Sequence, residues 1–360
     1  MNDTAFMQRA LFHAQRAQGM TTPNPLVGAV VVTPDGSVAG QGRHRRAGEP
    51  HAEVLALEEA GARARGATLY VTLEPCRHVG RTGPCTRRIM EAGITRVVAA
   101  MADPNPLMKG QGFADLRAAG IQVDVGLLEE AAARLNRAFV IVQTLGRPMV
   151  ILKAATSLDA RIASAPGVRT AISSAKANRR THQLRAIVDA IGVGSGTLLA
   201  DDPLLTAREC YRARPLARVI FDRRLRTPVA SRLFSTLEQG PVIILTGDHH
   251  DSGAQARARA LEDAGATLAW GSGDLAADLP KLLTWDISCV LIEGGGDLHA
   301  AAWRAGVVDR VHLIVAPEMI GETGVKLFGG LPVPLSDMMP VRVETLGPDA
   351  WLEADVYGRR

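Results

Sequence analysis

The sequence predicts an α/β protein built as two successive domains, and three observations carry that reading. A chain of 360 residues is longer than the ~100–200 residues of a common single domain. Short β-branched runs alternate along it with segments of helical periodicity, the pattern of an α/β layer sandwich. Near the middle, Gly146-Arg147-Pro148 interrupts the alternation, and a second series starts at Met149. Domains over 1–146 and 149–360 are therefore expected.

The elements follow in order. Phe6, Ala10, Leu11 and Ala14 share one face of a helix over 4–18, with Asp3 as its N-cap and Gly19 past its end. The apolar run 26–32 followed by Pro34-Asp35-Gly36 reads as a buried strand and a hairpin turn. A helix over 52–64 is followed by a strand over 68–73 that stops at Pro75. Pro84 is expected as the first residue of a short helix ending near Gly93. A strand over 95–100 is broken by Asp103-Pro104-Asn105-Pro106; a helix over 112–119, a strand over 121–125 and a helix with a tail fill the rest of the first half. The second half should hold a strand over 149–155, a helix over 173–186 and strands over 188–193 and 217–221. Further elements fill 241–293, and a helix over 297–305 and a strand over 310–315 follow.

A hydrophobic fraction of 47% with 22% charged residues excludes wholesale disorder, and 4% aromatics leaves the cores to Val, Leu, Ile and Ala. The net charge is only +4 and almost all of the positive charge is arginine, which suits an anionic small molecule. Residues 1–20 interleave Asp3, Gln8, Arg9, His13 and Arg16 with apolar positions, so they hold no secretory h-region. No apolar run approaches the ~18 residues of a membrane helix. The expectation is a cytoplasmic protein with no membrane partner.

Chemistry concentrates in three short segments: His51-Ala52-Glu53, Pro75-Cys76 and Pro84-Cys85. Zinc favours imidazole and thiolate ligands, and a catalytic site keeps one of its four positions for water. His51, Cys76 and Cys85 supply three ligands, and Glu53 is a carboxylate free to move protons. In zinc deaminases this division of labour displaces ammonia from an amidine-like ring carbon. Two other readings stay open on the residues alone. One is a closed structural zinc site, with His78 as the nearby fourth ligand, in a non-catalytic interaction module. The other is a nucleic-acid deaminase with an accessory domain, which the pI near 9.1 suits. No basic and aromatic stripe for base stacking is visible, so nucleic acid is not the expected partner.

Eight residues separate the two cysteines, where zinc deaminases usually have two. The stretch from Thr72 through Cys76 and Arg81 to Cys85 resembles the bifunctional deaminase/reductase family of riboflavin biosynthesis. So do Pro23-Asn24-Pro25, Gly48-Glu49-Pro50-His51, Asp103-Pro104-Asn105-Pro106, Ser157-Leu158-Asp159, Leu199-Ala200-Asp201-Asp202-Pro203 and Glu293-Gly294-Gly295-Gly296. The resemblance implies a three-layer α/β/α cytidine-deaminase-like fold first and a dihydrofolate-reductase-like fold second. It implies hydrolytic deamination of a diaminopyrimidinone ribosyl phosphate, then reduction of the ribosyl to a ribityl chain by NADPH, with one Zn2+ in each deaminase domain. A homo-oligomer is expected. Asn24, His44, Arg81, Asp103 and Asn105 fall at substrate positions of the first site.

In the second half, Gly192-Val193-Gly194-Ser195-Gly196 and Glu293-Gly294-Gly295-Gly296 lack the dinucleotide fingerprint spacing, yet each can bring backbone N–H groups to a phosphate. The segment 208–232 is rich in arginine, either for a phosphate or as a solvated loop. The resemblance places Arg185, Leu205, Arg208 and Glu293 at the substrate, with Lys153 as the catalytic residue and Asp159 nearby. It places Ala155, Ala171, Thr197, Asp201, Gly295, Gly296, Asp297 and Leu298 at the cofactor. The proton donor of the reduction is left open. Some positions depart from the family pattern: Arg77 for Ser, Gly83 for Pro, Ala160 for the glycine of Ser-Leu-Asp-Gly, and Ala171 for a tryptophan that commonly contacts the cofactor; a deaminase whose reductase half is altered therefore stays open as an alternative.

Overall fold

A computed structural model describes residues 2–77, 84–247, 253–334 and 338–356. The chain forms two compact units, Met1–Gly146 and Arg147–Arg360. In the first unit, α1 (Asp3–Gln15) is followed by β1 (Gly28–Val32), β2 (Val38–Arg43), α2 (Ala52–Ala60), β3 (Thr68–Val71) and α3 (Cys85–Glu91). Then come β4 (Arg96–Ala99), α4 (Gln111–Ala118), β5 (Gln122–Val125), α5 (Glu129–Leu135) and α6 (Arg137–Leu145). The sheet order is β2-β1-β3-β4-β5. β1 is antiparallel to both neighbours, and β3, β4 and β5 are parallel.

Three glycines explain how the first sheet is covered on both faces. Paired residues on neighbouring strands point to the same side, so Gly28 and Val30 share a face with Gln41, while Ala29 shares the other with Gly42 and Gly40. A Cβ on Gly28 would come within 2.0 Å of the Ala10 carbonyl oxygen of α1. On Gly40 and Gly42 it would meet the α2 carbonyls of Ala56 and Ala52 at 2.2 and 2.4 Å. Helix α1 thus lies on one face and α2 on the other, giving the expected α/β/α layers. Met7, Val31, Leu69, Val97 and Leu116 belong to one core between them. It is assembled mostly from aliphatic side chains, with Phe6, Tyr70 and Phe113 among them.

The second unit runs β6 (Met149–Thr156), β7 (Arg161–Ala163), α7 (Ala175–Ile187), β8 (Ala190–Gly194), α8 (Ser195–Asp201), β9 (Ala217–Phe221), β10 (Val242–Gly247) and α9 (Ala254–Asp263). It continues with β11 (Ala266–Gly271), α10 (Leu275–Asp278), β12 (Cys289–Ile292), α11 (Gly296–Arg304), β13 (Arg310–Val315), β14 (Val325–Lys326), β15 (Met338–Leu346) and β16 (Asp349–Val356). Its main sheet has the order β11-β10-β9-β8-β12-β6-β13-β16-β15. Strands β11 to β13 in that order are parallel; β16 and β15 are antiparallel additions. The parallel strands read as continuous buried runs such as Val242–Gly247, because helices must cover both faces of a parallel sheet. Arg147 opens the unit with a two-pronged bond to Asp309 at 2.7 and 2.9 Å, and Asp309 also accepts from Val150 N.

Several local expectations are corrected. Asn2, not Asp3, caps α1: its side chain accepts from Ala5 N, while Asp3 is helical and binds Tyr70 and Arg96. Pro84 has extended ψ and precedes α3, so Cys85 is its first residue. The helix expected over 52–64 stops at Gly61, whose φ is +54°, and one tighter turn follows. The hairpin β15–β16 had no counterpart in the expected elements.

Candidate functional site

The topology of the first unit gathers the expected site residues at one rim of its sheet. Asn24 precedes β1, and His44 follows β2, which is antiparallel to β1. Cys76 follows β3, and Asp103 and Asn105 follow β4; both strands end where β1 begins. Strand ends are where backbone direction is fixed but side chains are free to converge.

His51 sits just before α2 with extended φ/ψ, and Cys85 opens α3. The His51 Nδ1 lies 3.2 Å from Cys85 Sγ and 3.5 Å from Cys76 Sγ, and the three donors fall within 4.8 Å of one another. With Zn–N and Zn–S bonds of about 2.1 and 2.3 Å, a tetrahedral N···S edge is about 3.6 Å, so the donor set fits zinc. Cys76 is held well below the usual thiol range by a hydrogen bond from Cys85, helped by His51 and opposed by burial. Cys85 is pushed up, because it holds the proton shared with Cys76 and is buried. A divalent cation among these donors displaces such a proton outright. Glu53, in the first turn of α2, is 3% exposed, and burial beside Cys76 pushes its carboxyl up. That is the condition of a carboxylate suited to take and return a proton.

Two further side chains are locked in orientation. His44 Nδ1 faces the Pro50 carbonyl at 3.3 Å, which can only accept, so Nδ1 carries the hydrogen. Nε2 then accepts from Asn24 Nδ2 at 3.0 Å, leaving the Asn24 Oδ1 open as an acceptor. Burial holds His44 below its ordinary range, consistent with the neutral ring. Its ring packs edge-on to His51, 5.3 Å between centroids. Asp103 Oδ1 accepts from Asn105 N and Asn105 Oδ1 from Leu107 N, so both residues also shape their turn. Arg81 and His78 lie outside the described residues.

The second unit carries a cleft of about 1200 Å³ along the C-terminal ends of β6, β8, β9, β10 and β12. Ten residues expected at this site line it: Lys153, Ala155, Ala171, Thr197, Asp201, Glu293, Gly295, Gly296, Asp297 and Leu298. The glycine turn before α11 is required by space. A Cβ on Gly294 would lie 2.8 Å from Thr197 Oγ1, and Gly295 has a φ of +73°. A backbone this close to the cleft is the kind of cradle that a dinucleotide's phosphates use.

Arg185, Leu205 and Arg208 do not line the cleft. Arg185 binds both oxygens of Glu293, at 2.6 and 2.7 Å, and donates to the Thr206 carbonyl. Arg208 approaches the Thr206 hydroxyl, and Leu205 is buried at a φ of +53°. Although burial opposes it, Arg185 with Lys153 brings Glu293 below the usual carboxylate range. Lys153 is buried, which lowers its ammonium, while Glu293 acts in the opposite sense. Asp159 is engaged with Ser157 and with the amides of Ile320 and Gly321.

In the arginine-rich segment, Arg212 donates to the Arg185, Ala186 and Val188 carbonyls at the end of α7, Arg214 pairs with Asp189, and Arg218 is buried against Thr236 and the Gly240 carbonyl. None of these three is a phosphate ligand in waiting. His299 was missed: it is 2% exposed, lines the cleft, and is held at about 4 by burial. Its only signal in the sequence was its place one residue after the Gly296-Asp297-Leu298 run.

Two family models match the chain. Residues 1–101 match the cytidine and deoxycytidylate deaminase zinc-binding region, and residues 148–352 match the RibD C-terminal domain. The riboflavin biosynthesis protein RibD of Aquifex aeolicus is 41% identical over 352 residues, 96% of each chain. That of Escherichia coli is 40% identical over 328 residues, 89% of each. The structure of Acinetobacter baumannii RibD, form 1, superposes with a TM-score of 0.87 at 35% identity over 99% of both chains. A Thermotoga maritima diaminohydroxyphosphoribosylaminopyrimidine deaminase/5-amino-6-(5-phosphoribosylamino)uracil reductase gives 0.86 at 35% identity over 98% of both.

Proposed function

The chain belongs to the RibD family of bifunctional deaminase/reductases in riboflavin biosynthesis, and from that premise we propose which side chains act at each site and on what. The first unit deaminates 2,5-diamino-6-(5-phosphoribosylamino)pyrimidin-4-one; the second reduces the ribosyl group of the product to ribityl. The observation that carries the first assignment is the gathering of His51, Cys76 and Cys85 around one point beside a buried carboxylate.

Those three residues hold one zinc ion. Bound there, zinc supplies Lewis acidity that makes water a nucleophile at neutral pH. Glu53 takes the proton of the attacking water at a carboxylate oxygen and gives it to the departing nitrogen. The bond from the ring carbon to its exocyclic amino group breaks, a C–O bond replaces it and ammonia leaves. Asn24 presents its Oδ1 to a ring donor, its amide held by His44. Asp103 and Asn105 read the pyrimidine edge, and Arg81 meets the phosphate.

In the second unit NADPH supplies the hydride. Thr197, Asp201 and the turn Gly295-Gly296-Asp297-Leu298 hold it, with Ala155 and Ala171 on the cleft wall. Arg223 and Arg226 also line the cleft. They follow β9, three strands from β6 in the sheet, and at ~4.8 Å per strand those two strands are about 14 Å apart. Guanidinium groups at that remove favour the cofactor with an added ribose phosphate. Lys153 and Glu293 face the ribosyl group, and Arg185 keeps Glu293 ionised; Leu205 and Arg208, outside the cleft lining, support that side through Thr206, to which Arg185 and Arg208 both reach.

The test is Glu53→Gln. Zinc content should stay at the wild-type level while ammonia release falls by ~10²-fold or more, as loss of a general acid/base dictates. Full activity in the variant would remove Glu53 from the mechanism.

A further inference from the structure

We propose that Glu74 is a positioning residue of the deaminase centre: its carboxylate ties the loop carrying Asp103 and Asn105 to the segment carrying Cys76. It thereby sets where that loop meets the pyrimidine. The proposal rests on the deaminase reading above.

Glu74 is 6% exposed and stands two residues before Cys76. Its Oε2 accepts from Asp103 N at 3.0 Å and from Gly110 N at 2.9 Å. Its Oε1 accepts from Gly112 N at 2.8 Å and, more weakly, from Phe113 N at 3.4 Å. An ionised carboxylate offers about four acceptor sites, so four backbone donors saturate it. Among the described residues no basic side chain pairs with it; its charge is met by amides alone. Such charge-assisted bonds are roughly twice as strong as neutral ones.

The rest of the loop hangs from this anchor. Asp103, fixed through its own N–H, turns its carboxylate onto Asn105 N, and Asn105 turns its side chain onto Leu107 N. At the other end the loop presses on the metal-ligand segment itself. A Cβ on Gly112 would come within 2.2 Å of the Pro75 carbonyl oxygen, one residue before Cys76. The metal-ligand segment and the substrate loop therefore meet at one buried carboxylate.

Glutamine is the sharp substitution. It keeps the shape but replaces one acceptor oxygen with an NH2 group, so whichever way the amide turns, donors face donors. Gly112→Ala, in the first turn of α4, crowds the Pro75 carbonyl and Glu74 Oε1 without changing any charge. Both variants are made in the full-length protein, and four quantities are measured: zinc per chain, ammonia release against pyrimidine concentration, NADPH oxidation, and hydrogen exchange at the Gly110 and Gly112 amides. Zinc and NADPH oxidation should match the wild type. The kcat/KM for ammonia release should fall by about 10²-fold in both, mostly through KM, as expected of misplacement by about an ångström. The Gly110 and Gly112 amides should exchange faster in Glu74→Gln.

Unchanged KM in both variants would overturn the proposal. So would loss of zinc in step with activity, which would make Glu74 a support for the metal segment alone. Should Glu74→Gln not accumulate folded, Gly112→Ala decides by the same criteria. A wild-type protein that holds zinc but releases no ammonia defeats the deaminase reading instead. The exchange rates then decide separately whether Glu74 holds the loop.

Discussion

The two centres are built on opposite plans. In the first unit three donors lie within 4.8 Å of one another, each at the end of a separate element. In the second, the residues proposed for the site are spread along a cleft of about 1200 Å³, drawn from five strand ends and the turns after them. A tight cluster fails when one member is removed. A long cleft loses affinity by degrees, because the reactive chemistry belongs to the cofactor and each lining residue contributes a little.

Cys76→Ser should have the largest effect: metal and ammonia release both disappear, checked by zinc analysis and a coupled ammonia assay, while NADPH oxidation continues. Retained zinc would break the contrast, since it would mean that two donors suffice. Lys153→Ala should lower NADPH oxidation by ~10²-fold or more, the usual scale for a lost acid/base or charge partner, and leave ammonia release intact. Loss of both activities together would show that the sites are not separable.

Acid sharpens the comparison further. His299 and His312 of the second unit are both held at about 4 by burial, and Trp351 Nε1 donates to His312 Nδ1. Both lie below the ordinary 6.5, so the unfolded chain takes up protons first as pH falls. Stability is therefore full above pH 6.5 and is lost as pH drops from 6.5 toward 4, by about 3 kcal/mol for each histidine. The four tryptophans all lie in this unit, so fluorescence excited selectively at tryptophan, in urea titrations at several pH values, reports on it alone. A flat midpoint between pH 6.5 and 4.5 would contradict this. The smallest effect belongs to Ala171, which is exposed on the cleft wall. Ala171→Trp restores a flat ring, and an aromatic contact of about 0.5–1.5 kcal/mol should lower the KM for NADPH about two- to tenfold.

How much of this was legible in the sequence follows from the same contrast. His51, Glu53, Cys76 and Cys85 could be read directly, because zinc chemistry restricts residue type and spacing. The cleft could be read only through resemblance, because Ala155, Thr197 and Gly295 carry no chemistry that marks them. Hidden altogether were groups whose partners are distant in the chain. Glu74 meets amides 29 to 39 residues on, and Asp309 meets Arg147 and Val150 about 160 residues back. The helix start at Asn2 rather than Asp3 was a choice between two good caps, decided by the pull of Arg96 and Tyr70 on Asp3. Hairpin β15–β16 escaped because Val341 and Val343 of its edge strand point into solvent and acidic residues interrupt its partner. Ala160 stands where the family pattern has a glycine, and its φ of +58° shows that the backbone still adopts the glycine-like shape there.

Asn24, His44, Cys76 and Asp103 all emerge on a single rim of the five-stranded sheet, and the opposite rim carries none of them. The Pro34-Asp35-Gly36 turn lies there, held by Thr33 and Ser37, with Gly36 at a φ of +84° and nothing within 4 Å of where a Cβ would stand. Extra residues, a dye or a surface tether attached at that tip would sit a whole strand length away from the reacting atoms. The enzyme thus comes with a natural handle for immobilisation.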